Sequence, residues 1–198
     1  MSLITSPPAE YITVGGKEYK INTDYRVWIQ VEQLLKSLKD SPEETYTRIL
    51  MLCFTGDGGE RLPLPKTWKE TIEAIFAFYT ANAEKPNEKE QRSAGEKAQR
   101  IYDFEFDGDY IWAAIMQQYG IDISEIKLHW WKFKALFSSI TSDTKMGKIM
   151  EYRAVDLSSI SDRKMKSQYM RLKEIFALPD NRSEDEKEQD FADALFNL

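Results

Sequence analysis

Residues 103–140 read DFEFDGDYIWAAIMQQYGIDISEIKLHWWKFKALFSSI, and this stretch decides the fold. An acidic and aromatic run opens it, Gly120 divides it, and a second aromatic run surrounds His129, the only histidine of the chain. Apolar residues at helical spacing on both sides of a glycine stop are typical of packed α-helices. The stretch therefore predicts one helix over residues 110–119 and another over residues 126–140.

The acidic residues at the start of this stretch imitate the first half of a calcium-binding loop. Asp103, Glu105 and Asp107 alternate with phenylalanines. A calcium loop needs a bidentate glutamate at its twelfth position, and Ala114 stands there. We therefore predict no metal site. The run is either an extended segment with rings and carboxylates on opposite faces, or a cap in which Asp107 or Asp109 begins the next helix.

The single histidine and the single cysteine suggest no catalytic arrangement. His129 falls on the apolar face of the predicted 126–140 helix, so we interpret it as a structural histidine at the edge of the core. Cys53 lies within ILMLCF and is interpreted as a small buried side chain in a protein of the reducing cytoplasm. No serine stands in a nucleophile motif. We predict a protein that is not an enzyme and binds no cofactor.

A helical projection of residues 126–140 leaves two large apolar side chains outside the main apolar stripe. That stripe comprises Ile126, Trp130, Phe133, Leu136, Phe137 and Ile140. Leu128 and Trp131 point away from it. A helix that is apolar on two sides is either central in its domain or shared with a partner. Because tryptophan is enriched at interface hot spots, our hypothesis is that Leu128 and Trp131 bind a partner, with Trp131 contributing more to association than to folding.

The rest of the chain predicts a mainly α protein with a small N-terminal β-hairpin. Residues 11–14 and 17–21 alternate around Gly15-Gly16, a pair suited to a two-residue turn. Helical patterns follow over residues 27–38, 41–53, 67–79, 145–153 and 165–176. Nine of the seventeen residues from 84 to 100 are charged, which is typical of a solvated linker. We predict a hairpin and helical half over 1–83, a charged linker over 84–100, a helical half over 101–179, and an acidic amphipathic tail over 180–198.

The tail over residues 180–198 combines charge with an apolar stripe. Residues 180–193 hold seven acidic and two basic residues, a net charge of −5 out of −6 for the whole chain. Phe191, Ala194, Leu195 and Leu198 recur at i, i+3, i+4 and i+7, which predicts a short amphipathic helix. A helix this short is marginal alone, so we expect it to need a groove, and we favour a groove on another chain. Phe191, Leu195 and Leu198 are therefore further candidate partner-binding residues.

Charge and hydropathy also exclude classes of partner. The chain lacks the basic surface that binding to phosphates requires, so we expect no nucleic acid partner. No apolar run approaches the roughly 20 residues of a membrane helix. The first eleven residues, MSLITSPPAEY, show no signal-peptide pattern, so we expect neither membrane insertion nor secretion.

Four stretches together resemble a family of phage proteins. They are GKEYKINTDYRVWIQVEQLL (16–35), YDFEFDGDYIWAAIMQQYGIDI (102–123), LHWWKFKALFSSI (128–140) and KIMEYRAVDLSSI (148–160). The chain resembles the bacteriophage gene product fifteen proteins of long-tailed phages and prophages of Gram-positive bacteria. Their gene lies in the tail module beside the tape-measure gene. The tail after Pro179 adds nothing distinctive to the resemblance.

The resemblance implies a tail assembly chaperone of the bacterial host cytoplasm. Such a protein would bind the tape-measure protein, recruit tail-tube subunits and carry no catalytic residues, and a homo-oligomer fits the same role. Two alternatives remain open. One is a structural tail component that is retained in the virion, and the other is a host-directed regulatory binding protein or an enzyme on a helical fold.

Overall fold

The computed structural model describes residues 3–36, 42–54, 68–81 and 100–179, and it confirms a mainly α protein with an N-terminal β-hairpin. The strands are β1 (Tyr11–Val14) and β2 (Lys17–Lys20). The seven α-helices of these residues are α1 (Tyr25–Lys36), α2 (Pro42–Phe54), α3 (Trp68–Tyr79), α4 (Gly108–Tyr119), α5 (Trp130–Ser138), α6 (Lys145–Ala154) and α7 (Arg163–Ile175). Over these four ranges no helix is both long and apolar enough to cross a membrane.

The hairpin forms where Gly15-Gly16 predicted it. Strands β1 and β2 are antiparallel, and Gly15 and Gly16 both adopt positive φ, at 56° and 76°. A two-residue turn with two positive φ angles matches the twist of the flanking strands, and glycine takes that conformation without strain. Ile12 and Val14 point into the core, so one face of the hairpin is buried against the helices.

The core is built around Trp28 of α1, whose side chain is fully buried. Its ring stacks on Phe78 of α3 at a centroid distance of 4.7 Å and on Trp130 of α5 at 6.4 Å. Its indole Nε1 donates a hydrogen bond to the carbonyl of Asn22 at 2.7 Å, so its polar atom is satisfied. One cluster of buried residues extends from Ile12 to Met146. Described residues between Ile12 and Phe78 and between Phe104 and Met146 therefore share a core, while the division into two halves stays a prediction.

Residues 103–107 form a tight turn, so the predicted extended segment is wrong. Asp103 Oδ1 accepts hydrogen bonds from the backbone N–H groups of Glu105 and Phe106, at 2.9 and 3.0 Å. These local bonds curl the chain, as short acidic side chains often do. Phe104 is consequently buried and Phe106 is exposed, so the two rings do not share a face.

The N-terminus of α4 follows this turn, and Asp107 occupies the position before the first helical residue. Its carboxylate makes no capping bond to α4 and instead accepts two hydrogen bonds from Arg153 of α6, at 2.6 and 2.9 Å. Arg153 also donates to the carbonyls of Ile101, at 3.0 Å, and Phe176, at 2.6 Å. Both charged side chains are almost completely buried. The pair therefore joins α4, α6 and the end of α7.

Helix α4 ends as predicted and α5 begins later than predicted. Gly120 takes the left-handed conformation, with φ at 67°, and closes α4. The chain before α5 is extended, because Tyr25 N–H donates to the Leu128 carbonyl and Trp130 N–H donates to the Thr23 carbonyl, at 2.9 and 2.8 Å. This bridge to residues 23–25 prevents helix formation over residues 126–129.

Breaking the buried pair should strongly destabilise the fold. Replacement of Arg153 by Met leaves the Asp107 carboxylate buried without its cation, so the free energy of unfolding should fall by about 3–5 kcal/mol. Arg171→Met is the matched control, because Arg171 is exposed on α7, and it should change stability by less than about 0.5 kcal/mol. Urea unfolding followed by circular dichroism measures both, and equal small effects would contradict the expected role of the pair.

Candidate protein-binding groove

An aromatic groove lies between α5 and α6, with its other walls formed by the end of α3 and by the chain before α4. Its volume is about 510 Å³. The lining residues are Glu32, Tyr79, Ile101, Tyr102, Phe104, Trp130, Lys134, Phe137, Ser138, Met150, Glu151 and Ala154. A concave apolar surface with a few polar groups at its edge is the usual form of a binding site, and sites of this kind measure about 300–1,000 Å³.

The base of the groove is a set of rings that hold one another in place. Trp130 stacks on Tyr79 at a centroid distance of 5.5 Å, and Phe104 contacts Phe137 at 5.2 Å. Tyr102 meets Phe137 edge to face at 4.8 Å. Trp130 is held further by its indole Nε1, which donates to the Tyr79 carbonyl at 2.9 Å. Because each ring packs on others, the apolar base is formed before any partner binds.

Three charged residues, Glu32, Lys134 and Glu151, line the groove. Tyr79 Oη donates to Glu32 Oε2 at 2.7 Å, and the pKa of Tyr79 is raised, first by burial and then by this carboxylate. Burial also raises the pKa of Tyr102. Lys134 Nζ lies 5.6 Å from the centre of the Tyr79 ring and donates to the Tyr79 carbonyl at 3.3 Å. Burial lowers the pKa of Lys134, with Glu32 opposing that effect.

The predicted partner-binding residues occupy other places. Trp131 is only 5% exposed, so its side chain lies in the core, and the hypothesis that it binds a partner stays a prediction. Its ring packs on Phe78 at 5.1 Å, and its indole Nε1 donates to the Phe78 carbonyl at 2.8 Å. The projection assumed that the core lies on one side of α5, whereas the end of α3 covers a second side. Helix α5 is therefore central, as the alternative interpretation held.

The other predicted residues are a half-buried leucine and three residues of the tail. Leu128 packs against the core, and its carbonyl bonds to α1 as described above. Phe191, Leu195 and Leu198 lie outside the described residues. The groove itself was missed, because its lining comes from α1, α3, the segment before α4, α5 and α6, and no local pattern marks such a set. Its richness in aromatic residues was the only signal in the sequence.

His129 is a structural residue, as predicted, and it caps α5. Its Nδ1 accepts a hydrogen bond from the Trp131 N–H at 3.1 Å, so Nε2 carries the proton and donates to the Ala9 carbonyl at 2.9 Å. Both ring nitrogens are thus occupied. Burial lowers the pKa of His129, and Lys132 adds to this, while the Ala9 bond and Glu10 oppose it.

The Cys53 thiol and the acidic residues of the calcium-like run are also held by their surroundings. Burial raises the pKa of the Cys53 thiol to about 12, so the thiol stays protonated near neutral pH. Within the described parts of the chain, no three His, Cys, Asp or Glu side chains stand together as a metal ion would require. Asp103 and Asp107, from the calcium-like run, accept hydrogen bonds from backbone N–H groups and from Arg153.

Comparison with protein families settles what kind of protein this is. The family model described as Bacteriophage Gp15 protein matches residues 8–178, which include every described element and all the lining of the groove. The chain belongs to the bacteriophage Gp15 protein family. No curated protein and no solved structure matches the chain. The match ends just before the tail, so the family model covers the folded Gp15 core and none of residues 180–198.

Truncation of Trp131 should destabilise this Gp15 protein through loss of core packing. Trp131→Ala removes a buried ring and its hydrogen bond to the Phe78 carbonyl, so the free energy of unfolding should fall by about 3–5 kcal/mol. Trp112→Ala is the matched control, because Trp112 is 40% exposed, and it should cost less than about 1 kcal/mol. The urea midpoints of the two variants should differ clearly. A Trp131→Ala protein as stable as the wild type would instead support the hypothesis that Trp131 contributes more to association than to folding.

Stability should also fall on mild acidification because of His129. Its folded-state pKa is depressed, so its contribution is fully present above its unfolded pKa and is lost as the pH falls through the folded value. The protonated ring can no longer accept from the Trp131 N–H. His129→Asn keeps a capping oxygen that does not titrate. Urea unfolding at pH 7.5, 6.5 and 5.5 should show a steeper loss for the wild type than for His129→Asn, whereas parallel curves would exclude this linkage.

Proposed function

We propose that this Gp15 protein is a tail assembly chaperone that acts in the cytoplasm of the bacterial host. It would bind the tape-measure protein during tail morphogenesis and recruit tail-tube subunits, without catalysis. Membership of a bacteriophage family supports a role in the phage life cycle. The proteins that the chain resembles are encoded in the tail module beside the tape-measure gene, which supports this client in particular.

The observation that carries the proposal is the aromatic groove. A tape-measure protein is long and helical, so it offers amphipathic helices whose apolar anchors recur every three or four residues. Such helices bind by laying those anchors into a hydrophobic groove. The groove between α5 and α6 supplies an apolar lining in which the aromatic rings are already fixed by their neighbours. Glu32, Glu151 and Lys134 in its lining provide charges of both signs to orient a bound helix.

Two alternative functions would use the same groove to bind a different partner or at a different stage of the phage life cycle. A structural tail component would remain in the finished virion, and a host-directed regulatory protein would bind a bacterial partner instead. Mass spectrometry of purified virions separates the first from a chaperone, because an assembly factor leaves the particle. Co-purification from infected cells separates the second, since the tape-measure protein should be recovered with the chaperone.

Filling the groove should abolish client capture without unfolding the protein. Ala154 lines the groove at the exposed end of α6, so Ala154→Trp places a large ring inside it. Recovery of the tape-measure protein should fall by about tenfold or more, corresponding to roughly 1.4 kcal/mol of binding free energy. The matched control is Ala113→Trp on the exposed side of α4, outside the groove, which should capture normally.

The control also decides how a negative result is interpreted. Both variants should keep the wild-type circular dichroism spectrum and urea midpoint within about 0.5 kcal/mol, because both positions are exposed. Undiminished capture by Ala154→Trp would show that the client binds elsewhere. Absence of the tape-measure protein from wild-type pull-downs would contradict the proposed function itself.

A further inference from the structure

The end of α7 is hydrogen-bonded to Arg153, whose neighbour Ala154 lines the groove. Arg153 Nε donates to the Phe176 carbonyl at 2.6 Å, and Arg153 Nη1 donates to the Ile101 carbonyl at 3.0 Å. Ile101 lines the groove, and so does Ala154, the neighbour of Arg153. A single side chain therefore fixes the end of α7 against one wall of the groove. The 19 residues that follow Pro179 start from this point.

The sequence of those residues fits an occupant of the groove. Phe191, Leu195 and Leu198 share one face of the predicted tail helix. An apolar cavity of about 150 Å³ accommodates one benzene ring, so roughly three such groups fill about 510 Å³. The number of large side chains on the stripe therefore matches the volume of the groove. Four extended peptide units from Pro179 to Ser183 span about 14 Å, and the helix from there to Phe191 adds about 12 Å, so the stripe can reach the groove wall that Arg153 joins to the end of α7.

Neither of two rival arrangements fits as well. Residues 82–99 also lie next to the groove in sequence, between Tyr79 and Ile101, but their apolar side chains are three alanines and one proline. The outward side of α7 offers Arg163, Lys164 and Arg171, which would attract the acidic part of the tail. Exposed ion pairs are weak and screened by salt, whereas each buried Phe or Leu side chain contributes more. Apolar burial therefore selects the groove, and the acidic residues can stay in water.

We propose that residues 183–198 form an amphipathic helix whose apolar stripe fills the aromatic groove of the same chain. Our expectation from sequence favoured a groove on another chain, and the position at which the described chain ends changes that preference. The tail is then an internal competitor for any helix that binds the groove. This last consequence rests on the proposed function, whereas the docking of the tail does not.

Engineered cysteines test the docking directly. Ser138 is exposed and lines the groove, and Ala194 lies on the tail stripe, so Ser138→Cys/Ala194→Cys places one thiol at each site. Ser167→Cys/Ala194→Cys is the matched control, since Ser167 is exposed on the outward side of α7. Cys53 is buried and does not compete. Disulfides require Cβ atoms about 3.5–4.5 Å apart, so the rate of formation reports contact.

The expected result is an intramolecular disulfide in the full-length Ser138→Cys/Ala194→Cys protein. It should form at least about tenfold faster than in the control, and the product should migrate as a monomer on a non-reducing gel. Adding Phe191→Ser/Leu195→Ser should abolish this difference in rate. These substitutions remove the two largest side chains of the central part of the stripe and leave every described residue unchanged. Equal rates in the two pairs would overturn the proposal. Covalent dimers as the main product would overturn it too, and would place the tail in the groove of a second copy.

Client capture distinguishes a failure of the docking from a failure of the proposed function. If both are right, the full-length Phe191→Ser/Leu195→Ser protein recovers more tape-measure protein than the wild type does. A fast intramolecular disulfide with no client recovered by either protein means that the tail docks and the proposed client is wrong. Normal capture of the tape-measure protein, together with equal rates of disulfide formation in the two cysteine pairs, means that the proposed client is right and that the tail does not dock in the groove.

Discussion

The buried guanidinium of Arg153 is the constraint on which the C-terminal half of the structure depends. It meets a carboxylate bidentately and also donates to two backbone carbonyls, so each of its three nitrogens has a partner where water is excluded. A charge without such partners could not be buried at this depth. Its four bonds set the distances among the turn before α4, helix α6 and the end of α7. One wall of the groove is therefore positioned by a polar contact behind it.

The aromatic side chains of the groove satisfy two demands at once. Their faces supply apolar surface, while their polar atoms bond within the protein, as Tyr79 Oη does to Glu32 and the Trp130 indole does to the Tyr79 carbonyl. Rings fixed in this way lose little further freedom when a partner binds. A groove that is preformed in this way would accept an occupant without a large folding transition.

Features that depend on neighbours in sequence were predictable, and features that depend on distant partners were not. The glycine pair of the hairpin, the stop at Gly120 and the helical stripes before residue 180 are local patterns, and the structure confirms the turn, the stop and the helices of its described residues. Trp131 was misplaced because its partner Phe78 lies 53 positions away, and Asp107 bonds to a residue 46 positions away. The requirement for glycine at position 147 is another feature that the sequence does not predict. A Cβ there would lie 2.0 Å from the Thr141 carbonyl oxygen.

The bonds that close the N-terminal part of the fold have a consequence for its synthesis. Tyr25 Oη donates to the Ile123 carbonyl, 98 positions later, and His129 bonds to Ala9 across 120 positions. A ribosome adds roughly 5–20 residues per second, so about 100 residues take some 5–20 s. Until that interval ends, Trp28 lacks its ring partner Trp130 and Tyr25 lacks its ring partner Phe133. The nascent chain therefore exposes its own apolar surface for seconds, and folding must await the LHWWKF segment.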